Sequence, residues 1–444
     1  MATHVRRLAF LVLGVSLAAG CAPDAAIPPA APRAEDQLRA VTDAAPAADA
    51  ESLAAIQHLR ELRGDLEFDA AGMLVSVDLA GNRASAEGLD LEQLAAIPTL
   101  TRLRLASGRI TDADVPQLLK LRRLRELALR NSQLGDDGFR QLAALPELKT
   151  LDVQRSIRLT DAALQQLGDF PELTDLVLVE NLFTNQGLAH VARVERLQSL
   201  DLRGCSQIDA AGLARLEPLQ DLRALKLRGE FLDASCLTLL QAFPKLAALT
   251  IEDASLGDDD LAGFAALPLQ ELALERCFNL TDDGLVHLAV LPGLRTLALR
   301  DIAILGPGLA HLAELPELQT LRLRQTGIRD ASLPLLHQLP RLERLDLVQA
   351  LITDDGVKVI GELRTLLHLN LEANQLSDAG VARLASLDNL RTLGLAGNAD
   401  VTDESFRAFT SLPALTSLDL AGTGITDQGL AALRAALPTC RIDK

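Results

Sequence analysis

The residues of this chain that could do chemistry are aspartates that recur inside one six-residue word. The word reads ITDQGL at 425–430, LTDDGL at 280–285, ITDDGV at 352–357 and LSDAGV at 376–381. Carboxylates catalyse proton transfer only where they converge on a reacting group, and acidic runs such as 258–260 could instead bind calcium. These aspartates recur once per copy with no histidine beside them, so we interpret them as structural. The third place of the word is aspartate at Asp112, Asp136, Asp161, Asp258, Asp282, Asp330, Asp354, Asp378, Asp403 and Asp427.

A longer repeat surrounds this word and must position it. The pattern L-x-x-L-x-L starts at residues 74, 100, 124, 148, 173, 197, 222, 246, 269, 294, 318, 342, 366, 390 and 415, with spacings of 23 to 26 residues. The pattern predicts a short strand whose fourth and sixth residues face inward, while the third, fifth and seventh face outward. The word then predicts the start of a helix, with Thr426 as N-cap and Asp427 in the first turn of the last copy.

The ninth position of most copies carries a small polar or thiol side chain. We expect these groups to hydrogen-bond the backbone where the chain turns inward after each strand. They are Asn82, Ser132, Ser156, Asn181, Cys205, Cys277, Thr326, Asn374, Asn398 and Thr423.

Two segments show the whole repeat, LQSLDLRGCSQIDAAGL at 197–213 and LTSLDLAGTGITDQGL at 415–430. They resemble leucine-rich repeats of the cysteine-containing, ribonuclease-inhibitor-like and helix-backed type, and the resemblance covers residues 74–438. It implies an α/β horseshoe solenoid of about fifteen repeats, with parallel strands on the concave face and helices on the convex face. Because helices need about 10 Å of room and strands about 4.8 Å, such a stack must curve. The resemblance also implies a protein partner held on the concave face.

Cysteine and histidine do not suggest a reactive site. Cys205 and Cys277 occupy equivalent positions three repeats apart, beyond disulfide reach. We predict that they, Cys236 and Cys440 are buried free thiols. The histidines at 190, 287, 311 and 337 fall on the outer helices. His287 and His311 are neighbours in register, but adjacent helices are too far apart to share a metal easily. No nucleophile elbow, phosphate-binding loop or zinc motif occurs, so the sequence predicts no enzyme, no cofactor and no metal.

The N-terminus looks like an export signal. Arg6 and Arg7 precede the apolar run 8–17, which is too short to span a bilayer, and small residues follow. LAAGC at 17–21 resembles the lipobox of bacterial lipoproteins, which implies a signal peptide at 1–20 and lipidation of Cys21. Leu17 stands four places before the cysteine where lipoboxes place it three before, so plain secretion stays open. By the same resemblance, Ala22 favours the outer membrane.

The remaining segments complete the predicted organisation. Residues 21–50 are rich in alanine and proline and read as a disordered tether. Residues 51–73 have the pattern of a helix followed by a strand and are predicted to cap the solenoid at 74–438. Residues 439–444 begin one more repeat and stop.

Charge restricts the partners. The net charge of −17 argues against nucleic acid, and the lack of Trp and Tyr weighs against stacking on sugars or bases. Outward strand positions carry basic and acidic residues in nearly equal number, which an ordinary solvated face would also show. Two basic clusters nevertheless stand out, Arg203 with its neighbours and Arg300 with its neighbours. The basic candidates for partner binding are Arg102, Arg104, Arg130, Arg203, Lys226, Arg228, Arg300, Arg322, Arg324 and Arg344.

Several functions follow as hypotheses. The first is a monomeric, non-enzymatic scaffold in the bacterial envelope, held to the membrane only through a lipid anchor, that binds a protein. A second is an exported effector or an F-box-like ubiquitin-ligase substrate adaptor, because F-box leucine-rich repeat proteins use a similar word. A third is binding of a cell-surface polysaccharide.

Overall fold

A computed structural model describes residues 50–81, 86 and 88–444. The predicted signal peptide at 1–20, Cys21, the rest of the predicted tether as far as residue 49, and Asn82 lie outside the described residues.

The described chain forms one sheet of seventeen strands that follow one another in chain order. The first pair is antiparallel, and every later pair is parallel, as between β11 and β12. This confirms the predicted parallel solenoid. The strands are β1 Asp65–Phe68, β2 Leu74–Leu79, β3 Arg102–Ala106, β4 Glu126–Arg130, β5 Thr150–Asp152, β6 Asp175–Val177, β7 Ser199–Asp201, β8 Ala224–Arg228, β9 Ala248–Glu252, β10 Glu271–Glu275, β11 Thr296–Arg300, β12 Thr320–Arg324, β13 Arg344–Asp346, β14 His368–Asn370, β15 Thr392–Gly394, β16 Ser417–Asp419 and β17 Arg441–Asp443.

The leucines of each strand stack on those of the next. Leu297 of β11 is in register with Leu321 of β12, and Leu299 with Leu323. All four side chains are at most 1% exposed. Along β11 the buried leucines alternate with half-exposed residues, which confirms the predicted alternation. The outward positions therefore form one continuous concave face, and the leucines form one core behind it.

Helices cover the other side of this core, as predicted, but they are short and of two kinds. The α-helices are Ala50–Glu61, Leu91–Leu94, Val115–Leu118, Asp136–Gln141, Asp161–Leu164, Asn185–Val191, Ala210–Ala214, Ala234–Leu240, Asp354–Ile360, Asp378–Ala382, Phe406–Thr410 and Asp427–Ala436. The 3-10 helices are Asp112–Asp114, Leu142–Ala144, Leu167–Asp169, Asp258–Ala266, Asp282–Val290, Pro307–Glu314, Asp330–Gln338, Arg383–Ser386 and Asp403–Ser405.

Four consecutive repeats thus replace the α-helix by a 3-10 helix of eight or nine residues. One of these helices contains Pro334, which lacks the N–H that a regular turn requires. A 3-10 helix is tighter than an α-helix, so these four helices are narrower than the α-helices of the other repeats. On the sheet side, β8 to β12 have five residues each, as do β3 and β4, whereas β13 to β17 have three each.

The ninth position bonds the backbone as expected. Asn181 donates from Nδ2 to the carbonyl oxygens of Leu178 and Val153, both at 3.0 Å. The Cys205 thiol donates to the same Leu178 oxygen at 3.0 Å. Because Val153 belongs to the preceding repeat, these side chains join consecutive turns of the solenoid.

The aspartates of the word also join consecutive repeats, which the sequence interpretation did not foresee. Asp330 accepts hydrogen bonds from the backbone nitrogen of Thr353 at 3.0 Å and from its Oγ1 at 2.5 Å. Thr353 in turn accepts from Asp355 N and so caps its own helix. Helix capping is therefore only part of the role of the word. The same pair of bonds links Asp136 to Thr160, Asp161 to Thr184, Asp258 to Thr281, Asp354 to Ser377, Asp378 to Thr402 and Asp403 to Thr426.

The glycine of the word makes room for this carboxylate. A Cβ on Gly380 would lie 2.2 Å from Oδ1 of Asp354 in the preceding repeat, far inside van der Waals contact. In three repeats the third place has no carboxyl or amide group, and the fifth place of the following repeat is then not glycine. The three pairs are Ala210 with Cys236, Ala234 with Asp260, and Gly306 with Ser332. Two further repeats place Ala163 beside Asp136 and Ser405 beside Asp378, so glycine is favoured beside the carboxylate but a small side chain is also tolerated.

A left-handed residue ends the strand segment at the eighth position of thirteen repeats, from Asn131 to Gly422. Non-glycine residues there have φ near +50°, including Asp253 at 53° and Arg276 at 51°. In four other repeats the eighth residue is a glycine with positive φ, namely Gly204, Gly229, Gly397 and Gly422. Glycine adopts this conformation without the steric cost of a Cβ. The recurring kink turns the chain from the concave face toward the convex side.

Short elements stand at both ends of the described stack. The helix Ala50–Glu61 buries Ala55 and Leu59, and it packs against the helix Leu91–Leu94. β1 pairs antiparallel with β2. At the other end β17 adds to β16 in parallel.

Candidate binding surface

The structure places all ten basic candidates at outward positions, on seven turns of the solenoid. Nine lie on strands, and Arg203 follows the end of β7 by two residues. Their side chains are half-buried or exposed. Whether any is available to a partner depends on the carboxylates around it.

Seven of the ten form ion pairs within the protein. Arg130 Nε lies 2.7 Å from Asp152 Oδ2, and Arg324 Nε lies 2.7 Å from Asp346 Oδ2. The other pairs are Arg102 with Glu67, Arg104 with Asp78 and Glu126, Arg203 with Asp201 and Glu252, Arg228 with Asp253, and Arg300 with Glu275. Carboxylates of the same sheet therefore neutralise much of the charge of these seven arginines.

The first predicted cluster is part of a closed network. Arg203 pairs with Asp201 at 2.8 Å and with Glu252 at 2.7 Å. Burial by itself would lower the pKa of Arg203, but the hydrogen bonds and charges of Asp201 and Glu252 raise it above its ordinary value. Arg228 pairs with Asp253 at 2.5 Å. The guanidiniums of this cluster are therefore held by carboxylates rather than open to a partner.

Arg276 completes that network, and sequence reasoning missed it. It contacts Asp253, Glu252 and Glu275 at 2.5, 3.1 and 3.6 Å. Burial would raise the pKa of Asp253, but Arg276 and Arg228 together hold it below its ordinary value. Arg276 and Asp253 stand at the eighth position, outside the three outward positions considered. The glycines that recur at the eighth position were the available signal that the backbone turns there.

Three of the ten candidates make no ion pair within the described chain: Lys226, Arg322 and Arg344. Burial and the nearby Arg203 lower the pKa of Lys226, but the carboxylates of Asp201 and Glu252 lie close enough to offset part of this effect. Burial, and then the charge of Arg322, lower the pKa of Arg344, and the charge of Asp346 offsets part of this effect. Lys226 therefore lies among opposite charges, whereas Arg322 and Arg344 face each other as like charges.

The second cluster is paired only in part. Asp346 is in register with Arg322, yet its Oδ2 accepts from Arg324 and its Oδ1 from the backbone nitrogen of Val348 at 3.3 Å. Asp301 is exposed at the left-handed eighth position and forms no ion pair with any described residue.

His368 borders the second cluster. It is in register with Arg344, and its Nδ1 lies 2.8 Å from Thr392 Oγ1. Burial, and then the charges of Arg344 and Arg391, lower the pKa of His368 to about 4. At neutral pH the imidazole is therefore uncharged, and the positive charge in this part of the face comes from the arginines.

The four described thiols are unreactive. Cys205, Cys236, Cys277 and Cys440 are free and buried, and burial raises the pKa of both Cys205 and Cys277 to about 11. They are accordingly protonated at neutral pH and poor nucleophiles. Within the described ranges, no group of three or more His, Cys, Asp or Glu residues is arranged to hold a metal ion. No helix among the described residues is long and apolar enough to cross a membrane.

Comparisons with known proteins agree with this architecture. A family model for the leucine-rich repeat matches residues 362–385 and 412–433. A chain of the yeast Rad7 and Elc1 complex is 17% identical, with 89% of this chain and 92% of that chain covered and a TM-score of 0.53. A leucine-rich repeat protein of Leptospira interrogans is 20% identical, with 81% and 94% covered and a TM-score of 0.43. An internalin of Listeria monocytogenes is 19% identical, with 91% and 96% covered and a TM-score of 0.38.

No curated protein sequence matches the chain. At these identities the structural likeness concerns the fold alone. The repeat match and the parallel sheet together define a leucine-rich repeat solenoid. Solenoids of this kind present extended concave surfaces and typically serve as scaffolds for protein–protein interaction.

Proposed function

We propose that this chain is a non-enzymatic scaffold that binds a protein partner on its concave face. The observation that carries the proposal is the continuous outward face of β2 to β16, which is free of any other segment of the described chain. At its centre, the five consecutive strands β8 to β12 have five residues each. Small outward residues there, Ala273 and Ala298, leave room above the strands for another surface.

We also propose that the scaffold is exported and held at a bacterial envelope membrane through a lipid on Cys21, at the outer membrane where the cell has two. The support is the LAAGC sequence after a basic and apolar start. A tether of about thirty residues then separates the anchor from the solenoid, which would let the concave face meet partners away from the lipid surface.

The test of binding is affinity capture from envelope extracts with the tagged protein. The captured protein is identified by mass spectrometry, produced alone, and titrated against the purified scaffold by calorimetry. The variant Ala273→Arg/Ala298→Arg places two long side chains on the middle of the concave face. It should abolish binding because the partner can no longer approach the sheet.

The matched control changes the convex side. Arg383→Glu/Arg407→Glu alters two exposed arginines beside or within convex helices and should leave the affinity unchanged. Circular dichroism verifies the fold of both variants. A partner that binds the Ala273→Arg/Ala298→Arg variant as tightly as the original protein would show that the concave face is not the binding surface.

A further inference from the structure

Arg322 and Arg344 are neighbouring arginines of the concave face that have no ion-pair partner among the described residues. Arg322 is the middle residue of β12 and Arg344 the first residue of β13. Arg322 is in register with Asp346, two residues beyond Arg344. Their Cα atoms are therefore about 8 Å apart, one strand spacing across and two residues along. Both side chains are half-buried, and neither forms an ion pair within the described chain.

The surroundings keep this positive charge available. Asp346, the in-register carboxylate, is engaged by Arg324 at 2.7 Å. On the β14 side His368 is neutral at ordinary pH and bonds to Thr392. On the β11 side Arg322 is in register with Ala298, which offers no charge. Two like charges held beside each other destabilise a fold unless an anion is supplied. The charge of Asp346 compensates Arg344 in part, but neither arginine has an ion-pair partner among the described residues.

The spacing fits carboxylates on one face of a regular peptide segment. Alternate residues of an extended strand are about 6.6 Å apart, and residues i and i+4 of a helix about 6 Å. Each guanidinium can bind a carboxylate through two parallel hydrogen bonds. A segment with two acidic side chains at either spacing can therefore satisfy both arginines at once.

We propose that Arg322 and Arg344 are the docking site for an acidic segment of the protein partner, an inference that rests on the proposed binding function and assigns its charge specificity. Arg324 and Arg300, which the sequence placed in the same cluster, are positioned by Asp346 and Glu275 and contribute less. Lys226 and the network around Arg203 are not part of this site, because their charges are balanced.

The test uses defined probes. A fluorescein-labelled twelve-residue peptide with glutamate at alternate positions is titrated into the protein at low salt, and binding is followed by fluorescence anisotropy. A second peptide carries glutamate at every fourth position on a helical alanine background. At least one should bind, its glutamine counterpart should not, and salt should weaken the complex. In Arg322→Gln/Arg344→Gln the binding should weaken by at least about tenfold.

The control variant Arg383→Gln/Arg407→Gln removes the same charge from the convex side and should bind like the original protein. Equal binding by Arg322→Gln/Arg344→Gln, or no binding of either peptide, overturns the inference. Vesicles of phosphatidylglycerol serve as the other anion: binding to vesicles but not to peptides, lost in the same variant, would assign the pair to an anionic membrane and also overturn it.

The same variants separate this inference from the broader function. A purified partner that loses affinity for Ala273→Arg/Ala298→Arg but not for Arg322→Gln/Arg344→Gln would support binding at the concave face and contradict a role for the arginine pair. A partner whose affinity is unchanged by both double variants would contradict binding at the concave face itself.

Discussion

The carboxylate of Asp378 in one repeat accepts two hydrogen bonds from Thr402 in the next, from the backbone nitrogen at 2.8 Å and from Oγ1 at 2.6 Å. Burial alone would raise the pKa of Asp378, but hydrogen bonds from Ser405 and Thr402 outweigh it and hold that pKa below its ordinary value. The aspartate thus favours its charged form and ties two turns of the solenoid together at the start of their helices.

Removing such an aspartate should destabilise the solenoid more than removing a neighbour that only faces the helix dipole. Asp378→Ala leaves the backbone N–H and hydroxyl of Thr402 without their acceptor, which should cost about 1–3 kcal/mol in urea unfolding. Asp355→Ala removes an exposed first-turn charge and should cost under about 1 kcal/mol. Equal costs would show that the aspartates act only as dipole caps.

The glycine of the word and the preceding aspartate should be energetically coupled. Gly380→Ala should destabilise the protein because its Cβ would meet Asp354 Oδ1, with a cost of about 1–3 kcal/mol. With Asp354→Ala already present, the same change should cost much less, since the space is then empty. A coupling energy of about 0.5–3 kcal/mol in the double-mutant cycle is expected. Strict additivity would contradict the complementarity that Gly306 and Ser332 suggest.

The strand register can be tested with one pair of substitutions on β11. Leu297 is fully buried, so Leu297→Ala should cost roughly 2–5 kcal/mol. Thr296 faces outward and is half-exposed, so Thr296→Ala should cost under about 0.5 kcal/mol. Similar denaturation midpoints for the two variants would reverse the assignment of the concave face.

His368 should make the protein less stable as the solution becomes acidic. Its pKa is about 4 in the folded protein against an ordinary value of 6.5, so the unfolded chain binds a proton first. The stability lost through this residue therefore grows as pH falls from about 6.5 to 4 and is constant below that range. Relative to the original protein, His368→Asn should lose less stability between pH 7.5 and 4.5 in urea titrations. An NMR titration that gives the His368 imidazole a pKa near 6.5 would show that burial and the neighbouring arginines do not disfavour its charged form.

The membrane anchor is tested by one substitution. Cys21→Ser should release the protein from the membrane fraction, because the thiol that would carry the acyl chains is gone. Fractionation followed by mass spectrometry of the mature N-terminus checks both the location and the lipid. Identical partitioning of the two proteins, with no acyl mass on the original, would support plain secretion.

The sequence by itself determined the repeat, the strand register and the start of most helices. A period near 24 residues, leucines at alternate positions, and threonine or serine before aspartate are local signals, and each acts through the backbone of its own repeat. For the same reason the outward position of Arg322 or Arg344 could be read from the sequence. The polar ninth position was also predictable, since Asn181 and Cys205 bond backbone groups that every repeat presents.

Only the tertiary structure decided which of these outward charges are free. Asp346 lies in register with Arg322 but pairs with Arg324, a choice set by side-chain direction across two strands rather than by spacing along the chain. Arg276 joins the concave network because a left-handed residue turns the chain at the eighth position. The aspartates tie neighbouring repeats together because stacking brings the next threonine within hydrogen-bonding distance. These contacts join residues about 24 positions apart, so they arise from packing between repeats and not from the local pattern.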